Sequence, residues 1–210
     1  MRPMKRLLLT TRPFVLAATL ASLSVVSSAQ TKPVASPTPV YDSDEPYKVY
    51  DALFRYMGEN QHLHGDKVAI MTETTTAQNQ PLLAKCLYEN AAALPADAVT
   101  DFHAQNSHTW RLQARIPVGR NYELLASTFD SRIAIEGLVP NNPDGIASQP
   151  KYDFQGYWEL SAVGFSKSRD HAIAYAFYTC GITCGFGGPF LFSKHGEAWQ
   201  LDRWLCQIVS

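Results

Sequence analysis

The chain has 210 residues, of which 18 are basic and 19 acidic. Four of the basic residues lie within the first 29 residues, so residues 30–210 alone have 14 basic against 19 acidic residues and a net charge of −5. Because the remaining Lys and Arg residues are scattered and form no basic run, this composition argues against a nucleic-acid partner.

Residues 1–29 have the pattern of a secretory signal. Basic residues are followed by the almost wholly apolar segment 13–26 and by the small side chains Ser27-Ser28-Ala29, which a signal peptidase accepts. The alternative is a membrane anchor, but 14 residues of helix span only about 21 Å of a hydrocarbon core about 30 Å thick. We therefore predict cleavage after Ala29, export to the periplasm or outside the cell, and no membrane span in the mature chain.

Residues 30–43 contain three prolines and no repeating apolar pattern. Such composition favours a disordered lead-in. The remaining segment, 44–210, has the length of one domain.

The first predicted helix covers residues 46–57. Ser43-Asp44-Glu45-Pro46 supplies a capping side chain, an early negative charge and a proline in the first turn, and Gly58 is a plausible stop. The apolar residues that follow at spacings of three and four are Tyr47, Tyr50, Leu53, Phe54 and Met57. This stripe predicts core packing rather than a ligand groove.

Weaker signals occupy the middle of the chain. The β-branched run 67–75 predicts a strand, Pro81 opens a short helix, and Pro95 precedes a third helix. Alternation from Trp110 to Ile116 indicates another strand, and residues 140–150 form a turn-rich loop.

Four strand-like runs fill the last 55 residues, at 157–165, 171–180, 189–194 and 198–208. The glycine-rich segment 181–188 between the second and third is interpreted as a turn. Connections this short force neighbouring strands to be antiparallel. The sequence therefore predicts a meander in which 171–180 is an interior strand.

Large and small side chains alternate along residues 171–180. Ile173 and Tyr175 point to one face, and Ala174 and Ala176 to the other. The alanine face suits close approach of the helix at 46–57. The predicted fold class is α+β, an antiparallel β-meander sheet with helices packed on one face.

Within the last strand, the apolar residues change from odd positions, such as Trp199, to even positions, such as Trp204. Side chains of a regular strand alternate strictly, so a β-bulge at Asp202-Arg203 would bring Trp199 and Trp204 to one face and carry Cys206 inward. The alternative is a sheet covered on both faces, which needs no bulge.

The C-terminal motifs are Val163-Gly164-Phe165, Cys180-Gly181-Ile182-Thr183-Cys184-Gly185 and Lys194-His195-Gly196-Glu197-Ala198-Trp199. This succession resembles a family of uncharacterised exported bacterial proteins whose C-terminal β-meander carries Val-Gly-Phe, Cys-Gly-x-x-Cys-Gly and Lys-x-Gly-x-Trp. The resemblance covers residues 157–208 and, more loosely, the helix at 46–57, the strand at 67–75 and the segment 101–106. A basic residue often precedes Val-Gly-Phe in that family, where this chain has Ala162. The resemblance implies the domain boundary and the hairpin, but no function.

The four cysteines are Cys86, Cys180, Cys184 and Cys206, and an even number in an exported chain favours disulfides. Cys180 and Cys184 are close enough to bridge a turn, and we predict that they pair. A redox-active dithiol is the alternative, but its usual spacing has two intervening residues at a helix start. Cys86 and Cys206 then pair by elimination, unless Cys86 is simply a small buried residue.

Chemical motifs are sparse. His62, His64 and Asp66 form the only histidine cluster, but nothing completes a metal site, and no signature for a hydrolase, phosphate loop or dinucleotide fold is present. No metal site and no cofactor is predicted, and no catalytic residue is identified. Glu73 would act as a general base only if buried.

Two hypotheses follow. The first is a non-catalytic exported domain that binds a partner, an envelope component or a small ligand, supported by aromatic residues such as Tyr178, Phe186 and Trp204 near the hairpin tip. The second is an envelope hydrolase that uses Glu73 with one of the histidines His62, His64 and His103.

Overall fold

The computed structural model describes residues 37–60, 62–63, 67–76, 81–117, 121–126, 154, 156–181 and 184–210. The predicted signal at 1–29 and the loop at 140–150 lie outside the described residues. Of the predicted lead-in, residues 37–43 are described and differ from the prediction. Tyr41 is only 6% exposed, and its backbone N–H donates to the Arg111 carbonyl at 3.0 Å.

The described residues include three α-helices, which form at the predicted places. They are α1 (Glu45–Glu59), α2 (Pro81–Glu89) and α3 (Ala96–Gln105). Helix α1 buries its predicted apolar stripe, with Pro46 in the first turn. Its expected capping bond is absent, because the Asp44 carboxylate instead accepts from Arg115 Nη1 at 2.6 Å. Among the described residues, none of the helices has the length and apolarity needed to cross a bilayer.

In the described part of the chain, eight strands form one sheet. They are β1 (Lys67–Met71), β2 (Asn121–Leu125), β3 (Tyr157–Leu160), β4 (Gly164–Phe165), β5 (His171–Gly181), β6 (Cys184–His195), β7 (Ala198–Trp204) and β8 (Ile208–Val209). Their order is β2-β1-β3-β5-β6-β7, with β4 also on β5 and β8 also on β6.

The sheet is mixed, so the prediction of an antiparallel sheet is wrong for its first half. Strand β1 pairs in parallel with both β2 and β3, whereas β3, β5, β6 and β7 pair antiparallel in sequence. The connection from β1 to β2 contains α2 and α3, which gives it the length that a parallel crossover requires.

Residues 110–116 form no regular strand, contrary to the prediction. Arg111 makes only isolated bridges, to Val40 and to Glu73. The alternating pattern has a different cause, because Leu112 and Ile116 are both buried in the core beside α1.

Helices cover both faces of the sheet, which corrects the prediction of one covered face. Helix α1 packs on the alanine face of β5, where Ala172, Ala174 and Ala176 are fully buried. The opposite face, with Ile173 and Tyr175, packs against α2 and α3. Strand β5 is interior, between β3 and β6, as predicted.

The glycine-rich segment 185–188 belongs to β6, so its interpretation as a turn is wrong. It pairs with residues Ala176 to Thr179 of β5. Gly188 has a φ of +154°, and a Cβ there would lie 2.1 Å from the Cys206 carbonyl oxygen. The glycines are therefore needed for close approach of backbones within the sheet.

The predicted bulge is present in β7. Leu191 pairs with Arg203 and Phe192 with Leu201, so Asp202 is the extra residue. Trp199 and Trp204 consequently both contact the α1 core. Cys206 does not share their face, so this part of the prediction is wrong. It lies with the opposite core, beside α2, because β7 ends at Trp204 and its alternation does not continue to Cys206.

Candidate functional site

The chain breaks from regular pairing between β3 and β4, and the break is buried. Ser161, Ala162 and Val163 are each fully buried. Asn106, at the end of α3, holds this break through both backbone groups of Ala162. Its side-chain oxygen accepts from the Ala162 N–H at 2.9 Å, and its amide nitrogen donates to the Ala162 carbonyl at 3.0 Å.

Two buried tyrosines hold the same break from the α1 side. The Tyr41 hydroxyl accepts from the Val163 N–H at 3.0 Å and donates to its carbonyl at 3.3 Å, while the Tyr50 hydroxyl donates to the Ser161 carbonyl at 2.7 Å. Burial raises the pKa of Tyr41 above its ordinary value. The hydroxyl therefore stays protonated and keeps its donor.

Helix α3 lies directly on β4. A Cβ on Gly164 would lie 2.3 Å from both Cα and N of Phe102, so only glycine allows this contact. Asp101 Oδ2 accepts from the Phe165 N–H at 2.7 Å. The Val-Gly-Phe motif and the segment 101–106 thus form one structural unit.

The loop at residues 166–170, which connects β4 to β5, follows this unit. The Arg169 N–H donates to the Ser166 carbonyl at 3.0 Å, and the Ser166 N–H donates to the His171 carbonyl at 2.9 Å. The Asp170 carboxylate accepts hydrogen bonds from Ser168, Ser166 and His171, which lower its pKa. Arg169 has a φ of +59° and is the only non-glycine residue among those described with a positive φ.

A cleft of about 510 Å³ lies between this loop and α3, and we call it the α3 cleft. Its helix wall carries Asp97, Thr100, Asp101 and Ala104, and its loop wall carries Phe165, Ser166, Lys167 and Arg169. The helix wall is acidic because Asp97 and Asp101 are four residues apart and share one face of α3. The loop wall is basic. Opposite charges therefore face each other across the cleft.

The two carboxylates orient the loop but keep free acceptor capacity. Asp97 accepts from the backbone N–H groups of Lys167 at 2.9 Å and Ala98 at 3.0 Å, and the bond from Lys167 is the largest cause that lowers its pKa. Asp101 accepts from Phe165 and from Gln105 Nε2. An ionised carboxylate has about four acceptor sites, so each keeps about two.

Neither cation of the cleft forms a salt bridge with a carboxylate of the described residues, although the charge of Lys167 contributes to the lowered pKa of Asp97. Lys167 and Arg169 are both exposed, and neither forms a described ion pair. The Arg169 guanidinium lies over the Phe165 ring, 4.9 Å from its centroid. Its N–H donors point to no described acceptor, so they are available to a ligand.

The third C-terminal motif also has a structural role. Lys194 Nζ and Trp199 Nε1 both donate to Glu45 Oε1, at 2.6 and 3.0 Å, and Lys48 Nζ lies 3.0 Å from the second oxygen of Glu45. These bonds lower the pKa of Glu45 to about 2. In this chain two residues separate Gly196 from Trp199, one more than the family pattern has.

The cysteines lie in the predicted pairs. Cys180 and Cys184 form a disulfide with their Cα atoms 5.1 Å apart, at the β5–β6 turn. Cys86 and Cys206 form a disulfide across 120 residues, with their Cα atoms 6.2 Å apart, and join α2 to the chain after β7. Neither pair lines the α3 cleft.

The residues of the hydrolase hypothesis do not come together within the described part of the chain. Glu73 Oε1 accepts from Thr38 Oγ1 at 3.0 Å, and no described contact joins it to a histidine. His62 packs against Phe186 and Trp204, and His103 against Phe102. His64 and Asp66 lie outside the described residues. No group of three or more potential metal ligands occurs among the residues described.

The aromatic residues near the hairpin tip are packed rather than open. Tyr178 is 4% exposed, and Phe186 and Trp204 are half-buried. Tyr178 and Phe186 contact Trp158, and Trp204 contacts Phe190, in one cluster under α1. This cluster extends the core and offers no flat platform for a ligand.

Comparison with known protein families, with curated proteins and with solved structures found no match. The function is therefore argued from the α3 cleft. Sequence reasoning missed its charged residues, because Asp97, Lys167 and Arg169 lie in no recognised motif. The available signal was the short run Ser166-Lys167-Ser168-Arg169-Asp170. This connection between two strands contains no glycine or asparagine, although its turn includes a residue with positive φ.

Proposed function

We propose that the protein is an exported, non-catalytic binding domain that holds a small polar ligand in the α3 cleft. The proposal includes the signal at 1–29, delivery to the periplasm or beyond, and kinship with the exported bacterial family that the C-terminal motifs resemble. Two disulfides support it, because disulfides persist in oxidising compartments.

The main support for this proposal is the left-handed backbone conformation of Arg169. A left-handed conformation costs a non-glycine residue on the order of 1 kcal/mol, and glycine or asparagine normally occupies such a position. A side chain at a locally disfavoured backbone conformation points to a use for that side chain. Here that side chain is a guanidinium that lines the α3 cleft, lies over the Phe165 ring and forms no salt bridge among the described residues.

An NMR experiment tests the site. Amide spectra of the protein would be recorded with separate additions of amino acids, short peptides, neutral sugars, uronic acids and inorganic phosphate. We expect at least one of these classes to shift the amide signals of Thr100, Lys167 and Arg169. The amide of Gly196, in the exposed β6–β7 turn, is the internal control.

The variant Arg169→Asn separates stability from binding. Asparagine tolerates the left-handed region, so the melting temperature should stay equal or rise slightly while the affinity derived from the ligand-induced shifts falls. Shifts that map elsewhere, or an unchanged response in Arg169→Asn, would show that the cleft is not the site. Turnover of any added compound would instead favour the hydrolase hypothesis.

A further inference from the structure

The charges of the α3 cleft specify the ligand more narrowly. We infer that the ligand is dipolar, with an ammonium group held by the helix wall and a carboxylate held by the loop wall, as in a free amino acid or a short peptide with free termini. This inference rests on the proposed function, because it names the ligand class of the same cleft.

Each wall has free hydrogen-bonding capacity of one kind. Asp97 and Asp101 each accept two described hydrogen bonds and keep room for the N–H groups of an ammonium. Lys167 and Arg169 have donors without described acceptors, and the planar guanidinium of Arg169 matches a carboxylate. A dipolar ligand uses both walls at once.

Ligands with one sign of charge fit less well. A phosphate or a uronate would be attracted by Lys167 and Arg169 but repelled by two carboxylates on the opposite wall. A simple amine would be attracted by Asp97 and Asp101 but repelled by Lys167 and Arg169. The cleft has two formal charges of each sign among its lining residues, so only a ligand with both signs gains from both walls.

A neutral sugar is also a poorer match. Proteins that bind sugars commonly stack them on an open aromatic face, and the cleft has one ring, Phe165. That ring is 8% exposed, and the Arg169 guanidinium covers it. A sugar would therefore find hydrogen bonds but no stacking surface.

The test is a titration series in which the distance between the two charges changes. Glycine, diglycine and triglycine would be added while the Thr100, Lys167 and Arg169 amides are followed by NMR. We expect one length to bind best. At that length, an N-acetylated form and a C-terminally amidated form should each bind at least tenfold more weakly.

Variants assign each end of the ligand to a wall. In Arg169→Asn, binding should weaken, and amidation of the C-terminus should then have little further effect, because the partner of the carboxylate is already gone. Acetylation should still weaken binding in that variant. Lys85→Gln, which removes an exposed lysine of α2 that does not line the cleft, is the matched control and should bind like the wild type.

The outcomes separate this inference from the proposed function. Equal binding of free and blocked peptides at the cleft would overturn the dipolar ligand and leave the cleft as a binding site. The same follows if only glucose, glucuronate or phosphate shifts the cleft amides. If none of these compounds shifts them, both the ligand class and the proposed site are wrong.

Discussion

Asn106 joins two elements that are far apart in the sequence. It lies at the end of α3, is 1% exposed, and contacts the backbone of Ala162 with both its oxygen and its nitrogen. Since α3 supplies the acidic wall of the α3 cleft and residues 165–169 supply the other wall, this side chain helps to set the separation of the two walls. The Gly164–Phe102 contact and the bonds to Asp97 and Asp101 act with it.

We expect Asn106→Ala to destabilise the protein by about 2 to 3 kcal/mol, since the buried N–H and carbonyl of Ala162 lose their partners. Asn60→Ala is the matched control. Asn106 donates to the carbonyl four residues earlier, that of Phe102, and Asn60 makes the same bond at the end of α1 but is exposed. Its loss should therefore cost less than about 1 kcal/mol. Urea unfolding at neutral pH measures the loss of stability in both variants. Similar losses would show that Asn106 does not hold α3 to the backbone of Ala162.

Glu45 links α1 to Lys194 of β6 and Trp199 of β7, and this link depends on pH. Three donors lower its pKa from 4.5 to about 2 in the folded protein. A lowered folded pKa stabilises the fold above the unfolded pKa, and this contribution disappears as the pH falls from 4.5 towards 2.

Glu45→Gln should therefore lower the free energy of unfolding by about 1 to 2 kcal/mol at pH 7, given the value of hydrogen bonds to charged groups. The difference from the wild type should shrink steadily below pH 4.5. Urea titrations between pH 7 and pH 2.5 measure this, with Glu59→Gln, at the other end of α1, as the control at neutral pH. A difference that is constant with pH would contradict the assignment.

At the scale of elements, local signals predicted what depends on local chemistry. The aromatic stripe and proline start predicted α1, alternation of alanines with large side chains predicted the two faces of β5, and the phase slip at Asp202 predicted the bulge in β7. Each of these patterns involves residues that are close together in the sequence.

Long-range pairing was not predictable in the same way. Strand β2 is the short sequence Asn-Tyr-Glu-Leu-Leu, which has no alternation strong enough to distinguish it from a loop, and its parallel partner β1 is separated from it by two helices. Gly185–Gly188 looked like a turn because the reason for these glycines lies in residues distant along the chain, such as Cys206.

The α3 cleft shows the same limit. The acidic wall follows from the helical spacing of Asp97 and Asp101, which the sequence contains. That Lys167 and Arg169 face this wall depends on the contact between Gly164 and Phe102. Gly164 lies in a motif that sequence analysis recognised but to which it assigned no contact.

We expect Gly164→Ala to destabilise the protein by more than about 3 kcal/mol or to prevent folding, because its Cβ would overlap the backbone of α3 at 2.3 Å. Gly58→Ala is the control of opposite sign. Gly58 lies within α1, and the nearest atom to its added Cβ would be Leu63 Cδ1 at 3.6 Å, an ordinary contact. Alanine should therefore stabilise the helix by about 0.5 kcal/mol. Thermal unfolding of both variants is the measurement, and a stable Gly164→Ala would show that α3 does not rest on β4.

At the scale of the whole molecule, the two disulfides differ in what they connect. Cys180–Cys184 closes a turn within one hairpin, whereas Cys86–Cys206 joins α2 to the chain beyond β7 and spans 120 residues. The bulge at Asp202 lies between Trp199, which contacts the α1 core, and Cys206, which contacts the other core. The long disulfide therefore holds the second layer of helix against the sheet.

Loop entropy predicts different losses for the two bonds. Removing the short one, as Cys180→Ser with Cys184→Ser, should cost at most about 2 kcal/mol, and removing the long one, as Cys86→Ala with Cys206→Ala, about 5 kcal/mol. Peptide mapping under non-reducing conditions should first find each pair in one linked fragment of the protein. Urea unfolding of the two double variants then compares the losses. Equal losses, or free thiols at Cys86 and Cys206, would mean that the second helical layer is held by packing alone.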